Sequence, residues 1–269
     1  MKFIFNREIV TLGLRRGGIH GMLVWICGMF DGKYIVHLNT RLRGFKDWYI
    51  FSDKNKKFTK SKISFIKYLK RNNLPLNFYI NSVEQSTPKK FVSVDNNNYK
   101  RKKEKIVNDL SANSFSKSRK YVLFLRNPFN NLASLMEARR NKRYPKSWFA
   151  KEIRLFRKNW IAYAKEFVGK TNYITKKNKI NYDHWISDEN YRKNISEKLR
   201  LPFNDRNFGK MPHAGSSFDN FKFKTKAYNM DVLNRWTKYK NCEEYNKILF
   251  YTPLLDLYNE IFGDLPYKI

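Results

Sequence analysis

Near the N-terminus the apolar positions first form a continuous run and then recur at helical spacing. Glu8-Ile9-Val10-Thr11-Leu12-Gly13-Leu14 is a short run ended by glycine, which predicts a buried strand. Arg15-Arg16-Gly17-Gly18 supplies a turn, and from Ile19 the residues Met22, Leu23, Ile26 and Phe30 follow at spacings of three and four, predicting a helix. Gly32 closes it, and Tyr34-Ile35-Val36-His37-Leu38 reads as a second strand. Strand, glycine turn, helix, strand is a βαβ unit, whose parallel strands are normally covered by helices on both faces.

The pattern then loosens. Residues 41–72 are rich in Lys, with Ile63, Phe65, Ile66, Tyr68 and Leu69 predicting one apolar-sided helix. Asn77 to Val83 reads as a third strand. Residues 86–118 read as a loop carrying the basic run Lys100-Arg101-Lys102-Lys103. Tyr121-Val122-Leu123-Phe124-Leu125 is the clearest strand of the chain. It runs into Arg126-Asn127-Pro128 and a helix marked by Leu132, Leu135 and Met136. A long amphipathic helix follows over about 148–168, then a last strand between Tyr173 and Tyr182, a helix near 188–199, a polar loop over 204–220 and two C-terminal helices. No internal repeat is present.

Composition narrows this picture. At 269 residues, with 42% hydrophobic and 17% aromatic residues, the chain can bury a core, and one α/β domain over 1–269 is expected, with basic, less regular excursions near 41–72 and 86–118. The 55 Lys and Arg against 23 Asp and Glu give a formal charge of +32, a field that attracts anions without defining a fold. Abundant Lys and Asn throughout the chain are also what a compositional bias toward A and T would produce, so the global charge does not by itself name a partner. Cys27 and Cys242 make neither a disulfide framework nor a zinc site. No apolar run reaches the ~18 residues of a membrane helix and the start of the chain lacks a signal-peptide pattern, so a cytoplasmic protein without a membrane span is expected.

Two segments carry candidate chemistry. In Gly13-Leu14-Arg15-Arg16-Gly17-Gly18-Ile19-His20-Gly21, glycines between a strand and a helix N-terminus let the backbone approach an anion, while free N–H groups and the helix dipole favour negative charge. Arg15 and Arg16 add guanidinium forks suited to phosphate or sulfate; a surface turn with two solvated arginines is the plainer reading. The loop is not a Walker A motif, which ends in Gly-Lys-Ser/Thr so that the hydroxyl can ligate magnesium. The second segment is Arg126-Asn127-Pro128-Phe129-Asn130-Asn131-Leu132-Ala133-Ser134. Arg126 sits at the carboxyl end of a strand, the edge where open α/β sheets bind ligands, and Ser134 lies about two helical turns on. An ordinary salt bridge and a packed serine are the plainer alternative.

Together the two segments resemble the sulfotransferases that use PAPS (3′-phosphoadenosine 5′-phosphosulfate). In that family a strand–loop–helix holds the 5′-phosphosulfate, and an Arg with a Ser eight residues later holds the 3′-phosphate. The Arg15-Arg16-Gly17-Gly18 arrangement, Arg-x-Gly-Gly, is similar to the loop of heparan-type and bacterial or viral members, and Arg126 to Ser134 looks like the 3′-phosphate motif almost throughout. Ile180-Asn181-Tyr182-Asp183 is similar to the family's strand-ending Tyr-Glu-Asp type segment. The likeness touches residues 8–40, 120–140 and 173–240. It implies a three-layer, P-loop-NTPase-like α/β fold with a central, mainly parallel sheet flanked by helices. The implied co-substrate is PAPS, with no metal, and the implied reaction is in-line transfer of a sulfuryl group to a hydroxyl- or amine-bearing acceptor, acidic glycans and small molecules being among the candidates.

By that resemblance Arg15, Arg16 and the Gly17 and Gly18 N–H groups attend the transferring sulfonate and the 5′-phosphate. Cofactor contacts extend over Ile19, His20 and Gly21. Arg16 stands where members usually carry a catalytic Lys, which keeps the charge but removes a ready proton donor. His20 stands in place of a loop hydroxyl and is the first choice for polarising the leaving oxygen or moving the acceptor proton. His37, 21 residues after Arg16, is the competing base, and Glu84 a weaker one. The family's C-terminal Arg-Lys-Gly loop is not evident; Ser216 and Ser217, with Lys224, Lys226 and Arg235, stand in for it. His213 is a candidate near that loop, His184 has no assigned role, and Trp25 or Trp236 would flank the adenine. The alternatives are a P-loop-like nucleotide kinase, against which the missing Lys-Ser/Thr argues, and a basic nucleic-acid-binding protein. Nucleic acid is not expected as substrate because no helix-turn-helix, zinc-finger or RNP-type pattern accompanies the charge.

Overall fold

The computed structural model describes residues 5–30, 34–37, 48–51, 56–59, 76–84, 87–90, 116–140, 146–210, 216–219, 222–223 and 226–267. Seven strands form one sheet: β1 (Phe5–Gly13), β2 (Tyr34–His37), β3 (Trp48–Phe51), β4 (Lys56–Thr59), β5 (Leu76–Glu84), β6 (Ser116–Leu125) and β7 (Lys177–Asn181). Their order is β4-β3-β2-β5-β1-β6-β7. β2 pairs parallel with β5, placing His37 opposite Asn81, while β2–β3 and β3–β4 pair antiparallel. The helices are α1 (Ile19–Gly28), α2 (Pro128–Arg140), α3 (Lys146–Val168), α4 (Tyr182–Ser187), α5 (Glu189–Leu199), α6 (Glu243–Leu249) and α7 (Thr252–Phe262). This is the α/β class that the alternating strand and helix periods predict.

The chain divides into two compact units. The first comprises Met1–Leu12, Phe30–Leu123 and Tyr173–Asn178 and holds most of the sheet. Its β1 is buried at consecutive positions, Ile9, Val10 and Leu12 alongside Glu8 and Thr11, as a strand covered on both faces must be. Glu8 is tolerated there because Arg119 Nε donates to its carboxylate at 2.8 Å. That pair explains why β6 begins at Ser116, five residues before the apolar run. Its polar first half is held by partners rather than by hydrophobicity. β3 and β4, a hairpin inside the Lys-rich stretch read as irregular, have no such alternation to announce them. The helix expected around Ile63 to Leu69 lies outside the described residues.

The second unit comprises Gly13–Met29, Phe124–Asn172 and Lys179–Ile269. Its core is aromatic: Trp25, Phe129, Phe156, Trp160, Tyr163 and Tyr245 are all fully buried. Phe129 meets the edges of Phe250, Tyr258 and Tyr267, and accepts at its carbonyl from Tyr245 Oη at 2.7 Å. α4, a short helix inside a region read as strand and connector, is started by Asn181. Its side chain accepts from the N–H groups of Asp183 and His184. Asp188 caps α5 in the same way, ending one helix and starting the next. No helix among the described residues is long and apolar enough to cross a membrane.

Candidate active site

The site lies wholly within the second unit and begins where β1 ends. After Gly13 the chain turns, Gly17 N–H donating to Leu14 O at 3.0 Å. Arg16 at φ 63° and Gly18 at φ 95° both occupy the left-handed region. For an arginine this costs about 1 kcal/mol or more, so the surrounding contacts must hold it there. Gly18 is required on two counts. Besides its φ, a Cβ at this position would lie 2.3 Å from the Tyr182 ring. Gly18 is also the N-cap of α1 and provides no side-chain cap. The N–H groups of Gly18 and Ile19 have no backbone partner among the described residues and lie at the positive end of the helix dipole. The Gly17 N–H expected to bind an anion is instead used inside the turn.

The second segment is built by helix-capping chemistry. Arg126 follows the last residue of β6, Asn127 caps α2 by accepting from Phe129 N–H at 2.9 Å, and Pro128 opens the helix with its fixed φ. Trp160 Nε1 donates to Arg126 O at 3.0 Å, which satisfies the carbonyl at the strand end. Two turns into α2, Ser134 is buried. Asn131, on the same helix, donates to Arg15 O at 2.9 Å and locks the glycine loop onto α2.

Three guanidinium groups gather at this point. Arg16 Nε donates to Ser134 Oγ at 3.4 Å and Arg235 Nη1 donates to the same oxygen at 3.2 Å. Arg126 Nη1 donates to Arg16 O at 3.2 Å and its Nη2 to Val232 O, while its guanidinium lies 4.6 Å over the Tyr182 ring. Arg235 also reaches Ser216 Oγ at 3.0 Å and Asp219 Oδ2 at 3.1 Å, with Phe218 stacked 4.6 Å from it. Arg126 and Arg235 are 3% and 5% exposed, and the Nε of each has no hydrogen-bond partner. Burying a cation with an unmade hydrogen bond is costly, and a bound oxyanion would relieve both terms at once.

The electrostatics carry the same signature. Burial, reinforced by the Arg126 charge, pulls the Arg235 guanidinium down to about 9. Burial pushes the Tyr182 hydroxyl up, with Arg126 and then Arg235 pulling the other way. Asp183 is likewise pushed up by burial despite Arg126, and its Oδ1 is buried without a hydrogen bond. Asp219 forms a salt bridge with Arg235 at 3.1 Å. Three guanidinium charges lie close together here, a setting that favours an anion.

The sequence reading set the glycine loop and Arg126 apart as two pockets. The structure gives them a common wall, because Arg16 leans onto Ser134 rather than outward from the loop. Arg15 is drawn aside, its Nη1 lying 3.2 Å from Glu152 of α3. His20 sits in the first turn of α1, half-buried, one residue from the donors of Gly18 and Ile19. Ser216 accepts from Arg235 within the same cluster. Ser217 lies in the adjoining 3-10 turn, Ser217–Asp219. His37 ends β2 in the other unit, with Glu84 at the end of β5. His213 and Lys224 lie outside the described residues. Trp25 is core, bonding Asp205 through Nε1 at 2.7 Å, whereas Trp236 stacks on Tyr267 at 5.1 Å. His184 is exposed against the edge of Tyr191. Tyr182, Phe218 and Asp219 were not singled out individually from the sequence. Tyr182 and Phe218 had signals, the segment that ends the last strand and the Gly-Ser-Ser-Phe stretch that holds Ser216 and Ser217.

No protein-family model matches the chain, and no curated protein matches it. Among solved structures it is similar to the sulfotransferase domain of the Synechococcus PCC 7002 olefin synthase, with 12% identity and a TM-score of 0.48, over 97% of this chain and 96% of that one.

Proposed function

We propose that the chain is a PAPS-dependent sulfotransferase acting on a hydroxyl or amine acceptor. One observation carries the reading: Arg16 and Arg235 converge on Ser134 with Arg126 beside them, and two of these buried guanidinium groups retain an unpartnered Nε. A phosphate monoester, with two charges and three acceptor oxygens, is the ligand that such a set of donors fits. The residues therefore suit the 3′-phosphate of PAPS, held by Arg126, Arg235 and Ser134 with Arg16 closing the near side. The 5′ end falls to the Gly18 and Ile19 N–H groups and the α1 dipole, which favour an oxyanion at a helix N-terminus.

Bound PAPS would supply the sulfonate, whose S–O bond to the phosphate breaks as the acceptor oxygen or nitrogen forms a new bond to sulfur and gives up its proton. The protein's part is placement and charge neutralisation, as in phosphoryl transfer. Arg16 belongs to the same loop but leans onto Ser134, so its fixed charge falls on the 3′-phosphate side. His20, at the start of α1, is our choice for the group that takes the acceptor proton or polarises the leaving oxygen, since an imidazole can both accept and donate a proton.

Calorimetric titration with PAP (the 3′,5′-bisphosphate left after transfer), with and without magnesium, tests the reading. PAP should bind without magnesium at about micromolar Kd or tighter, and ATP roughly tenfold or more weakly. ATP binding that exceeds PAP binding and depends on magnesium would replace this reading with a kinase.

A further inference from the structure

Trp236 stands beside Arg235 on the 3-10 turn Arg235–Lys238, yet it plays no part in the nucleotide site described above. In a 3-10 helix successive side chains point about 120° apart, so neighbours face different layers. Arg235 turns inward to Ser134. Trp236 instead lies nearly flat on Tyr267, with ring centroids 5.1 Å apart and 15° between the planes. Tyr267 is itself fixed by three further contacts. It meets Phe129 at 5.6 Å and Phe250 at 5.5 Å, both in edge geometry, and its Oη donates to Asn246 Oδ1 at 2.7 Å. Asn246 Nδ2 in turn donates to Lys240 O at 2.7 Å, two residues beyond the turn.

One tyrosine therefore touches both segments that supply the buried arginines, since Phe129 lies three residues after Arg126 and Trp236 one after Arg235. The turn needs a hold of this kind because the charges of Arg126 and Arg16 both act against the Arg235 cation. Its far end is anchored by Glu137, through Tyr239 Oη at 2.8 Å and Lys238 Nζ at 2.7 Å. At its near end Asn130 donates to Leu233 O at 2.7 Å and accepts from Trp236 N–H at 3.2 Å, and the Trp236–Tyr267 stack completes the grip.

We propose that Tyr267 is a positioning residue of the nucleotide site, acting through Trp236 to keep the Arg235 guanidinium on Ser134. The inference rests on the sulfotransferase reading and deepens it by naming a side chain, outside the phosphate donors, on which one donor depends. A charged donor serves a phosphate only when its supporting shell holds it in place, so a looser turn costs affinity without removing any donor.

The test uses the full chain with Tyr267→Ala, Tyr267→Phe, Arg235→Ala, the Tyr267→Ala/Arg235→Ala double variant, and Leu199→Ala, a core substitution on α5 of the same unit. PAP and AMP, which lacks the 3′-phosphate, are titrated by calorimetry well below every Tm. Tyr267→Ala should lose about tenfold in PAP affinity, while AMP affinity stays within about twofold. Tyr267→Phe, which keeps the stack, should remain within about threefold of the parent for PAP. The double variant should bind PAP no more weakly than Arg235→Ala alone, because Tyr267 acts only through Arg235. Leu199→Ala should lower Tm and leave PAP affinity unchanged. Unaltered PAP binding in Tyr267→Ala, additive losses in the double variant, an AMP loss in step with PAP, or an equal loss in Leu199→Ala would each overturn the proposal. Should Tyr267→Ala fail to fold, Tyr267→Leu, which fills the gap but cannot stack, takes its place under the same criteria. Amide hydrogen exchange without ligand separates this inference from the reading beneath it. Exchange over residues 230–240 should rise about tenfold more in Tyr267→Ala than in Leu199→Ala. If PAP does not bind the parent but that local rise is seen, the sulfotransferase reading fails alone; if the rise is absent, the positioning role fails whatever PAP does.

Discussion

Arg235 donates to the Ser134 hydroxyl at 3.2 Å although 101 residues separate them. That bond ties the 3-10 turn Arg235–Lys238 to the second turn of α2, and through Arg16 to the glycine loop as well. One buried oxygen accepts from two cations and has no negative charge to offer either. Such a centre is held together by the surrounding frame.

Arg126→Ala should weaken PAP binding by about 2–4 kcal/mol, roughly 30- to 700-fold, since charge-assisted bonds to a buried phosphate are lost. Asn127 and Pro128 still start α2 in this variant, so the circular dichroism spectrum should be unchanged. Titration calorimetry reads the affinity, and an affinity equal to that of the parent would remove Arg126 from the site.

In Ser134→Ala, the acceptor shared by Arg16 and Arg235 is gone and the buried Arg235 Nη1 loses its partner. The free protein should lose about 1–3 kcal/mol of stability, seen as a lower Tm. Saturating PAP should restore part of that loss, because phosphate oxygens replace the hydroxyl. A variant as stable as the parent would mean that the converging arginines are not under strain.

Gly18→Ala meets both a left-handed backbone and the Tyr182 ring at 2.3 Å. The backbone alone costs about 1 kcal/mol, and the ring must move as well. A Tm drop accompanied by weaker PAP binding is expected, since Tyr182 underlies Arg126. A silent substitution would show the loop to be looser than its geometry implies.

Asp183→Asn should stabilise the protein at neutral pH. Burial holds the folded-state pKa of Asp183 above its unfolded value, so the folded state retains the proton more readily. Stability from this group is greatest below the unfolded pKa near 3.8 and declines as pH rises through the folded value. The Tm difference between variant and parent should therefore be positive at pH 7 and shrink toward zero in acid. A negative difference at pH 7 would mean that the Arg126 charge outweighs burial.

Much of this was legible locally. The runs Ile9–Leu12 and Val122–Leu125 declare strands because both faces of each are covered, and Asn127-Pro128 declares a helix start through capping chemistry. Arg126 and Ser134 were recognisable by their spacing on one strand–helix junction. Other features were hidden for definite reasons. The polar half of β6 depends on Arg119 meeting Glu8, a contact across 111 residues. β3 and β4 lack the alternation that would set them apart from a basic loop. α4 is started by a single asparagine in a stretch that otherwise reads as extended.

The amino-acid order alone determined the class of fold, the glycine turn between β1 and α1, and the placing of Arg126 and Ser134 at one strand–helix junction, since each follows from local periodicity, backbone freedom or capping. Only the folded chain decided that Arg16 turns inward, that Arg235 arrives with Asp219 and Ser216, and that Tyr182 lies beneath Arg126. These are side-chain meetings between segments far apart in sequence. Burial and charge repulsion act through space, and no pattern along the chain encodes them.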